Sequence, residues 1–299
     1  MNFKDFSQNV LENFNQHMYN LIEPCQNEVE EAMLYSLKAG GKRIRPLLIL
    51  ATVKAFGKDE VTAYDAATAI EWVHTYSLIH DDLPAIDNDD LRRGKPTNHK
   101  VFGESTAILA GDALLTHSFD VLSASSTLES EKKVLLIQRL AEYAGSRGMI
   151  GGQLEDIQSE NKSISMDTLQ SIHERKTGAL IQFSLFAGGT IAGQKQEVLD
   201  YLNQIAKLIG LAFQIRDDIL DVVGDAESLG KNVGQDEKLD KSTYPSLLGL
   251  EGSYDKLEEM LSLAEESNNK LADVLKKENN EYDKEILDSF IDTLRLEKR

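Results

Sequence analysis

Five prolines in 299 residues, Pro24, Pro46, Pro84, Pro96 and Pro245, leave most of this chain with nothing to interrupt a helix. The apolar residues are spaced accordingly. From Tyr201 to Val223, Leu202, Ile205, Leu208, Ile209, Ala212, Ile215, Ile219 and Val222 recur mostly at steps of three and four, the signature of one buried helix face. Val61–Leu83 reads the same way and ends where Pro84 forbids continuation. No sustained alternation of apolar and polar residues marks a sheet. Glycines gather at junctions (Gly40-Gly41, Gly57, Gly94, Gly103, Gly224, Gly230, Gly234), and no low-complexity linker divides the chain. The expectation is one all-α domain over residues 1–299, with ten or so helices. Two irregular stretches, Pro84–Phe102 and Gly224–Thr243, each follow an acidic cluster directly.

A formal charge of −18 argues against nucleic acid as a partner, because its phosphates would be repelled. An anionic small substrate fits that charge only if some carboxylates hold metal ions and the basic residues are grouped. The acid excess after residue 251 reads simply as a solvated surface. The single cysteine, Cys25, rules out an internal disulfide framework and fits a reducing compartment. The first 20 residues mix Asn, Gln, Lys, Asp and Glu, unlike a targeting leader. Apolar runs fall far short of the roughly 20 residues of a membrane span. A soluble, cytoplasmic protein is expected.

Two acidic clusters carry the chemistry. In the first, Asp81 and Asp82 close a helix, and the turn at Pro84 lets Asp87 fold back toward them, with Asp89 and Asp90 beyond. Carboxylates at a helix C-terminus oppose its dipole and need a compensating cation. Hard oxygen donors without cysteine suit Mg²⁺ better than zinc. In the second, Asp217 and Asp221 stand four apart on one face of an otherwise apolar helix, after Phe213, Gln214 and Arg216. The segments Ser77–Leu83 and Phe213–Ile219 echo one another: each ends an apolar helix in paired aspartates. That echo predicts two helices presenting matching acidic ends to a shared centre.

Basic residues alternate with these acids. Lys42 and Arg45 stand three apart at a helix start, where free backbone N–H groups also favour anions. Arg92, Arg93 and Lys95 follow the first cluster, and Arg175 and Lys176 precede Thr177-Gly178. Lys231 follows the second cluster. Arginines and lysines so grouped are the usual holders of phosphate oxygens. His74 lies two turns before Asp81 on about the same face and can donate to a phosphate, while His80 reads as structural. Gln153 and Asp156, three apart after Gly151-Gly152, suit either close helix packing or a ligand.

At this point the residues resemble a known family. Glu71–Lys100, Gly40-Gly41-Lys42-Arg43-Ile44-Arg45-Pro46, Lys176-Thr177-Gly178 and Phe213–Asp221 match, in order, the motifs of the short-chain trans-prenyltransferases. The likeness covers roughly residues 30–245 and is strongest to the bacterial branch with fifteen-carbon products. It implies a barrel of antiparallel helices around a deep apolar pocket, usually as a homodimer. It also implies Mg²⁺-dependent condensation of isopentenyl diphosphate with an allylic diphosphate, with three ions per site. Carried over position by position, Asp81, Asp87 and Asp217 become metal ligands. Arg92, Lys176, Gln214 and Lys231 hold or orient the allylic partner, with Thr177 and Lys241 nearby. Lys42, Arg45, His74 and Arg93 bind isopentenyl diphosphate. Thr177 and Gln214 also offer oxygens to an allylic cation. Tyr76, five residues before Asp81, is the expected floor that limits the product, though helix rotation alone leaves open whether it faces the pocket or packs between helices. The expected product is farnesyl diphosphate, with geranylgeranyl diphosphate as the alternative.

Two other readings compete with this one. A class I terpene cyclase shares the ionisation chemistry but needs no second diphosphate site, so Lys42, Arg45, His74 and Arg93 together count against it. A silent partner subunit would be expected to lack some aspartates, and both clusters are complete.

Overall fold

The computed structural model describes residues 1–224 and 242–297. Helices α1 (Phe3–Asn20), α2 (Glu28–Lys38), α3 (Ile44–Ala55) and α4 (Tyr64–Asp81) open the chain. A short antiparallel pairing of Leu91–Arg92 with Lys95–Pro96 follows, then α5 (Asn98–Phe102), α6 (Glu104–Ala124), α7 (Ser130–Ala144), α8 (Met149–Ser159) and α9 (Met166–His173). One turn of π-helix, Glu174–Gly178, leads into α10 (Ala179–Ile191) and α11 (Gln196–Val223). Helices α12 (Tyr244–Lys277) and α13 (Glu285–Asp292) close it. The expectation of an all-α fold holds. The irregular stretch after Pro84 contains that two-residue ladder, the extent of β-structure among the described residues.

Polar residues fix the starts of several helices. The Asn2 side chain accepts from the Asp5 amide, Asn27 from Glu30, and Thr243 exchanges bonds with Ser246 in a capping box. Helix α4 begins three residues later than its apolar period suggests, because Glu60–Ala63 forms a tighter 3₁₀ turn seeded by the Asp59 side chain. It ends at Asp81, and the following amides fold back onto it: Asp82 N–H donates to Leu78 O at 3.1 Å and Leu83 N–H to His80 O at 3.1 Å.

Helix α10 has no charged residue and is buried along its whole length, so it forms the axis of the bundle between α3 and α11. Helix α4 runs along α6, and α11 along α12. Short connections between packed neighbours such as α10 and α11 give the back-and-forth arrangement of a helical barrel. Gly210 of α11 faces Gly178, whose Cα would lie 2.9 Å from any added Cβ. That pair of glycines lets the π turn lie directly against α11, which brings Thr177 within hydrogen-bond reach of Gln214.

Candidate active site

A cavity of about 820 Å³ opens between the start of α3, helices α4, α6, α8, α10 and α11, and the π turn. Of the residues expected at a site, Lys42, Arg45, His74, Tyr76, Asp81, Arg92, Arg93, Lys176, Thr177, Gln214 and Asp217 all line it. Asp87 lies outside the lining but beside it: its amide donates to the Asp81 carbonyl at 2.9 Å, so the chain folds back after Pro84 as expected. Lys231 and Lys241 lie outside the described residues. Asp221, four residues after Asp217, is buried and outside the lining. Sharing a helix face with Asp217 therefore does not bring it to the cavity.

One wall is cationic. Arg43, the middle residue of a basic run, has a left-handed backbone (φ 49°) that turns its side chain inward. There it pairs with buried Glu71 and donates to the Leu37 carbonyl. Removing one partner of such a buried pair typically costs ~3–5 kcal/mol, so these two residues hold the start of α3 against α4. Lys42 and Arg45 on either side are left to the cavity. Arg45 donates to His74 Nε2 at 3.3 Å, which makes that nitrogen an acceptor and His74 neutral. Burial, reinforced by Arg45, Arg93, Arg92 and Arg43, holds the His74 imidazole well below its usual range. Burial also lowers Arg45 to about 10, against the pull of Glu71 and with Arg93 lowering it further. The Arg45 Nε–H finds no acceptor among the described residues. Arg93, itself left-handed, lies over Gly40-Gly41 and donates to the Gly40 carbonyl. This wall has more donors than acceptors and is built to receive an anion.

The facing wall mixes acids and bases. Burial pushes the Asp81 carboxyl up to about 6, with Lys176 pulling it down and Asp87 pushing it further up. Asp82 is turned away and gripped by Arg92, whose Nε donates to Asp82 Oδ1 at 2.8 Å. Lys176 binds Asp156 at 2.6 Å, and neighbouring Arg175 pairs with Glu155. Gly152 resolves the reading of the glycines before Gln153: a Cβ there would sit 2.4 Å from the Lys176 backbone nitrogen, so the glycine allows α8 to seat the π turn. Gln153 still lines the cavity, and its Oε1 finds no donor among the described residues. Thr177 Oγ–H donates to Gln214 Oε1 at 2.9 Å. Gln214 Nε2 donates to Asp218 Oδ1 at 2.9 Å, and the Tyr244 amide donates to Asp218 Oδ2 at 3.0 Å.

The remaining lining is apolar, including Leu115, Met149, Leu154, Leu180 and Phe213. Tyr76 is buried and faces this space, which settles its orientation. Its ring meets His80 edge-on at 5.6 Å and 83°, and its hydroxyl finds no partner among the described residues. His80 lines the cavity too, but its Nε2 lies 3.1 Å from the Ile108 carbonyl, in keeping with a structural role.

Sequence reasoning passed over Arg43, Glu71 and the supporting role of Asp218. A usable signal existed for Glu71, an acid flanked by Ile70 and Trp72 in a helix otherwise apolar on that side. For a metal ion the donors fit by type: Asp81 and Asp217 offer hard oxygens to the cavity, with Asp87 beside its rim. Among the described residues no three acidic, imidazole or thiol groups form a ready-made ion site. Magnesium is commonly held by one or two carboxylates together with substrate phosphates, and this set suits that mode.

Comparison with known proteins agrees with this geometry. Residues 26–278 match the polyprenyl synthetase family. A farnesyl diphosphate synthase of Bacillus subtilis is 52% identical over 234 residues, 78% of this chain and 79% of that protein. A chloroplastic geranylgeranyl pyrophosphate synthase of Arabidopsis thaliana is 46% identical over 249 residues, 82% of this chain and 71% of its own length. Among solved structures, a geranyltransferase from Helicobacter pylori complexed with magnesium and isoprenyl diphosphate superposes with a TM-score of 0.78 at 37% identity. It covers 91% of this chain and 97% of its own.

Proposed function

The chain belongs to the polyprenyl synthetase family, and we propose that within it this protein makes farnesyl diphosphate from isopentenyl diphosphate and the allylic dimethylallyl and geranyl diphosphates. The observation that carries the reading is a single cavity with a cationic wall of Arg45, His74 and Arg93 and a second wall of Asp81, Asp217 and Lys176. One diphosphate site would serve a hydrolase or cyclase; two serve a condensation. The geranylgeranyl alternative has the weaker support, since the twenty-carbon relatives are less similar and Tyr76 occupies the apolar space.

In this mechanism Lys42, Arg45, His74 and Arg93 hold isopentenyl diphosphate, with neutral His74 donating through Nδ1. Lys176 and Arg92 orient the allylic diphosphate and offset the charge left on it as its C–O bond breaks. Lys231, assigned the same duty by resemblance, and Lys241, placed near it, lie outside the described residues. Divalent cations, as Mg²⁺ and three per site, held by Asp81, Asp87 and Asp217, would supply positive charge against that diphosphate. Thr177 Oγ and Gln214 Oε1 turn oxygens toward the allylic cation. The apolar walls keep water from quenching it. The isopentenyl double bond then attacks, and the proton passes to the released diphosphate. Tyr76 stops growth at fifteen carbons.

We also read residues 1–299 as one domain working as a cytoplasmic homodimer. No helix among the described residues is long and apolar enough to cross a membrane. Helix α6 exposes Ile108 and Leu109, by 43% and 53%, and a second copy is the natural cover for them.

Incubation of the purified chain with Mg²⁺, labelled isopentenyl diphosphate and dimethylallyl diphosphate tests the reaction. A labelled fifteen-carbon diphosphate is expected. Cyclised hydrocarbon, or no transfer of label, overturns the assignment.

A further inference from the structure

We infer that Asp218 is a positioning residue that fixes the polarity of the Gln214 amide, so that its carbonyl oxygen and not its NH₂ joins Thr177 at the cavity. The inference rests on the condensation proposed above and concerns how its cationic centre is kept electrically correct.

A glutamine amide is nearly symmetrical in shape, and its two ends carry opposite dipoles. Left to itself, Gln214 could accept from Thr177 or, rotated by half a turn about its last bond, offer N–H toward the same space. The surroundings remove that freedom. A carboxylate only accepts hydrogen bonds. Asp218 Oδ1, 2.9 Å from the far end of the amide, therefore demands Nε2 on its side, which leaves Oε1 on the side of Thr177 at 2.9 Å. With Gln214 accepting, the Thr177 hydroxyl must spend its single hydrogen on that bond, and its lone pairs are left over for the cavity. One carboxylate thus orients two oxygens.

Asp218 is in turn held in place. It is buried and receives the Tyr244 amide on Oδ2 at 3.0 Å. Tyr244 is fully buried at the start of α12, and its ring lies 5.7 Å from that of His173 at 34°. His173 ends α9, immediately before the π turn that carries Thr177. The frame closes on itself from Thr177 through Gln214, Asp218 and Tyr244 back to the turn. It also gives the second of the paired aspartates a task although it does not line the cavity.

The test uses near-isosteric changes in the full-length enzyme. Asp218→Asn keeps the acceptor for Tyr244 but turns an NH₂ toward Gln214, whose amide must rotate and point N–H at Thr177 and the cavity. The turnover number should fall about 10²-fold, the scale for reversing one preorganised dipole. The KM values for both diphosphates and the Mg²⁺ concentration giving half-maximal rate should stay within about threefold. Gln214→Glu alone sets two carboxylates against each other and should be impaired as well. The pair Gln214→Glu with Asp218→Asn restores the pattern, since the amide introduced by Asp218→Asn donates to a carboxylate whose other oxygen faces Thr177. It should recover at least about tenfold over either single variant. Wild-type turnover in Asp218→Asn, a loss confined to Mg²⁺ dependence, or a double variant no faster than the singles overturns the inference. If Asp218→Asn does not fold, comparison of Gln214→Glu with the double variant decides the same point. Failure of the wild-type chain to condense the two substrates would instead strike at the proposed function, so the two failures are told apart in one assay.

Discussion

Helices α4 and α11 carry matching pairs of aspartates, at the last residue of α4 but more than a turn before the end of α11, and the two pairs are braced in opposite ways. Each presents the first of two aspartates, Asp81 or Asp217, to the cavity and turns the second, Asp82 or Asp218, into the protein. The partner of Asp82 is the guanidinium of Arg92, which itself lines the cavity. The partners of Asp218 include the Gln214 amide and the Tyr244 backbone. A diphosphate entering the cavity can compete for Arg92 but not for a backbone N–H already spent on Asp218. The Asp82 brace therefore rests on a side chain that also faces the cavity, while the Asp218 brace rests in part on the backbone. The sequence echo is a likeness of position with a difference of bracing.

The largest effects should be common to both ends. Asp81→Ala and Asp217→Ala are each expected to lower turnover by about 10³-fold or more, since metal-borne charge stabilisation is worth several kcal/mol. Asp90 pairs with exposed Lys100 at 2.7 Å, and Asp89 lies 3.6 Å from Arg92, so alanine at either should cost far less. Steady-state rates with labelled isopentenyl diphosphate measure all four. Near-normal turnover for Asp81→Ala or Asp217→Ala would discard the shared metal site.

Next in size is a pH effect belonging to the α11 side. Burial pushes the His173 imidazole down to about 4, with Asp156 drawing it up and Lys176 pressing it lower. The folded value lies below the unfolded one, near 6.5, so the unfolded chain takes up the proton first as pH falls. The stability is fully present above about 6.5 and lost as pH drops toward about 4, on the order of 3 kcal/mol. His173→Gln should reduce the difference between urea midpoints measured at pH 7 and pH 4.5. An unchanged difference would mean His173 is not what makes this brace acid-sensitive.

A smaller split should separate the two walls. Arg45→Ala is expected to raise the KM for isopentenyl diphosphate about tenfold or more, at about 1.5–3 kcal/mol per charged hydrogen bond, with the allylic KM little changed. Arg92→Lys keeps a charge beside Asp82 but loses the fork, so it should act on the allylic substrate or on turnover. Identical profiles for both variants toward both substrates would merge the two sites into one.

How much of this was legible depends on the range of the signal. The helices were, because a 3.6-residue period is local; α11 starts at Gln196, and buried Val198 and Leu199 continue the Tyr201–Val223 period back by a turn. Both acidic clusters and the Lys42–Arg45 pair were legible from residue type and spacing. Which of the basic residues Lys42, Arg43 and Arg45 pairs with Glu71 was not, since it hangs on the left-handed backbone of Arg43. Nor was the bond between Thr177 and Gln214, 37 positions apart, or the π turn that aims Lys176 and Thr177 together. Those depend on contacts between helices, and no local pattern encodes them.

The smallest expected change in rate carries the sharpest test of the echo. Five residues before each leading aspartate, α4 has Tyr76 and α11 has Ala212, both buried. Tyr76 lines the cavity and Ala212 does not. The buried tyrosine ring lines the cavity, and its hydroxyl gains no hydrogen bond in return among the described residues. Tyr76→Ala makes α4 resemble α11 at this position and leaves Asp81, Arg92 and the cationic wall in place. Condensation should then continue past fifteen carbons, with turnover reduced by less than about tenfold, because no group touching a diphosphate has changed. Chromatography of the dephosphorylated products reads the outcome directly. A shift to twenty carbons or longer places the floor at Tyr76. If the variant remains active and stops at fifteen, growth is limited by another part of the lining, such as Leu115 of α6, and the position five before Asp81 matters no more than its counterpart in α11.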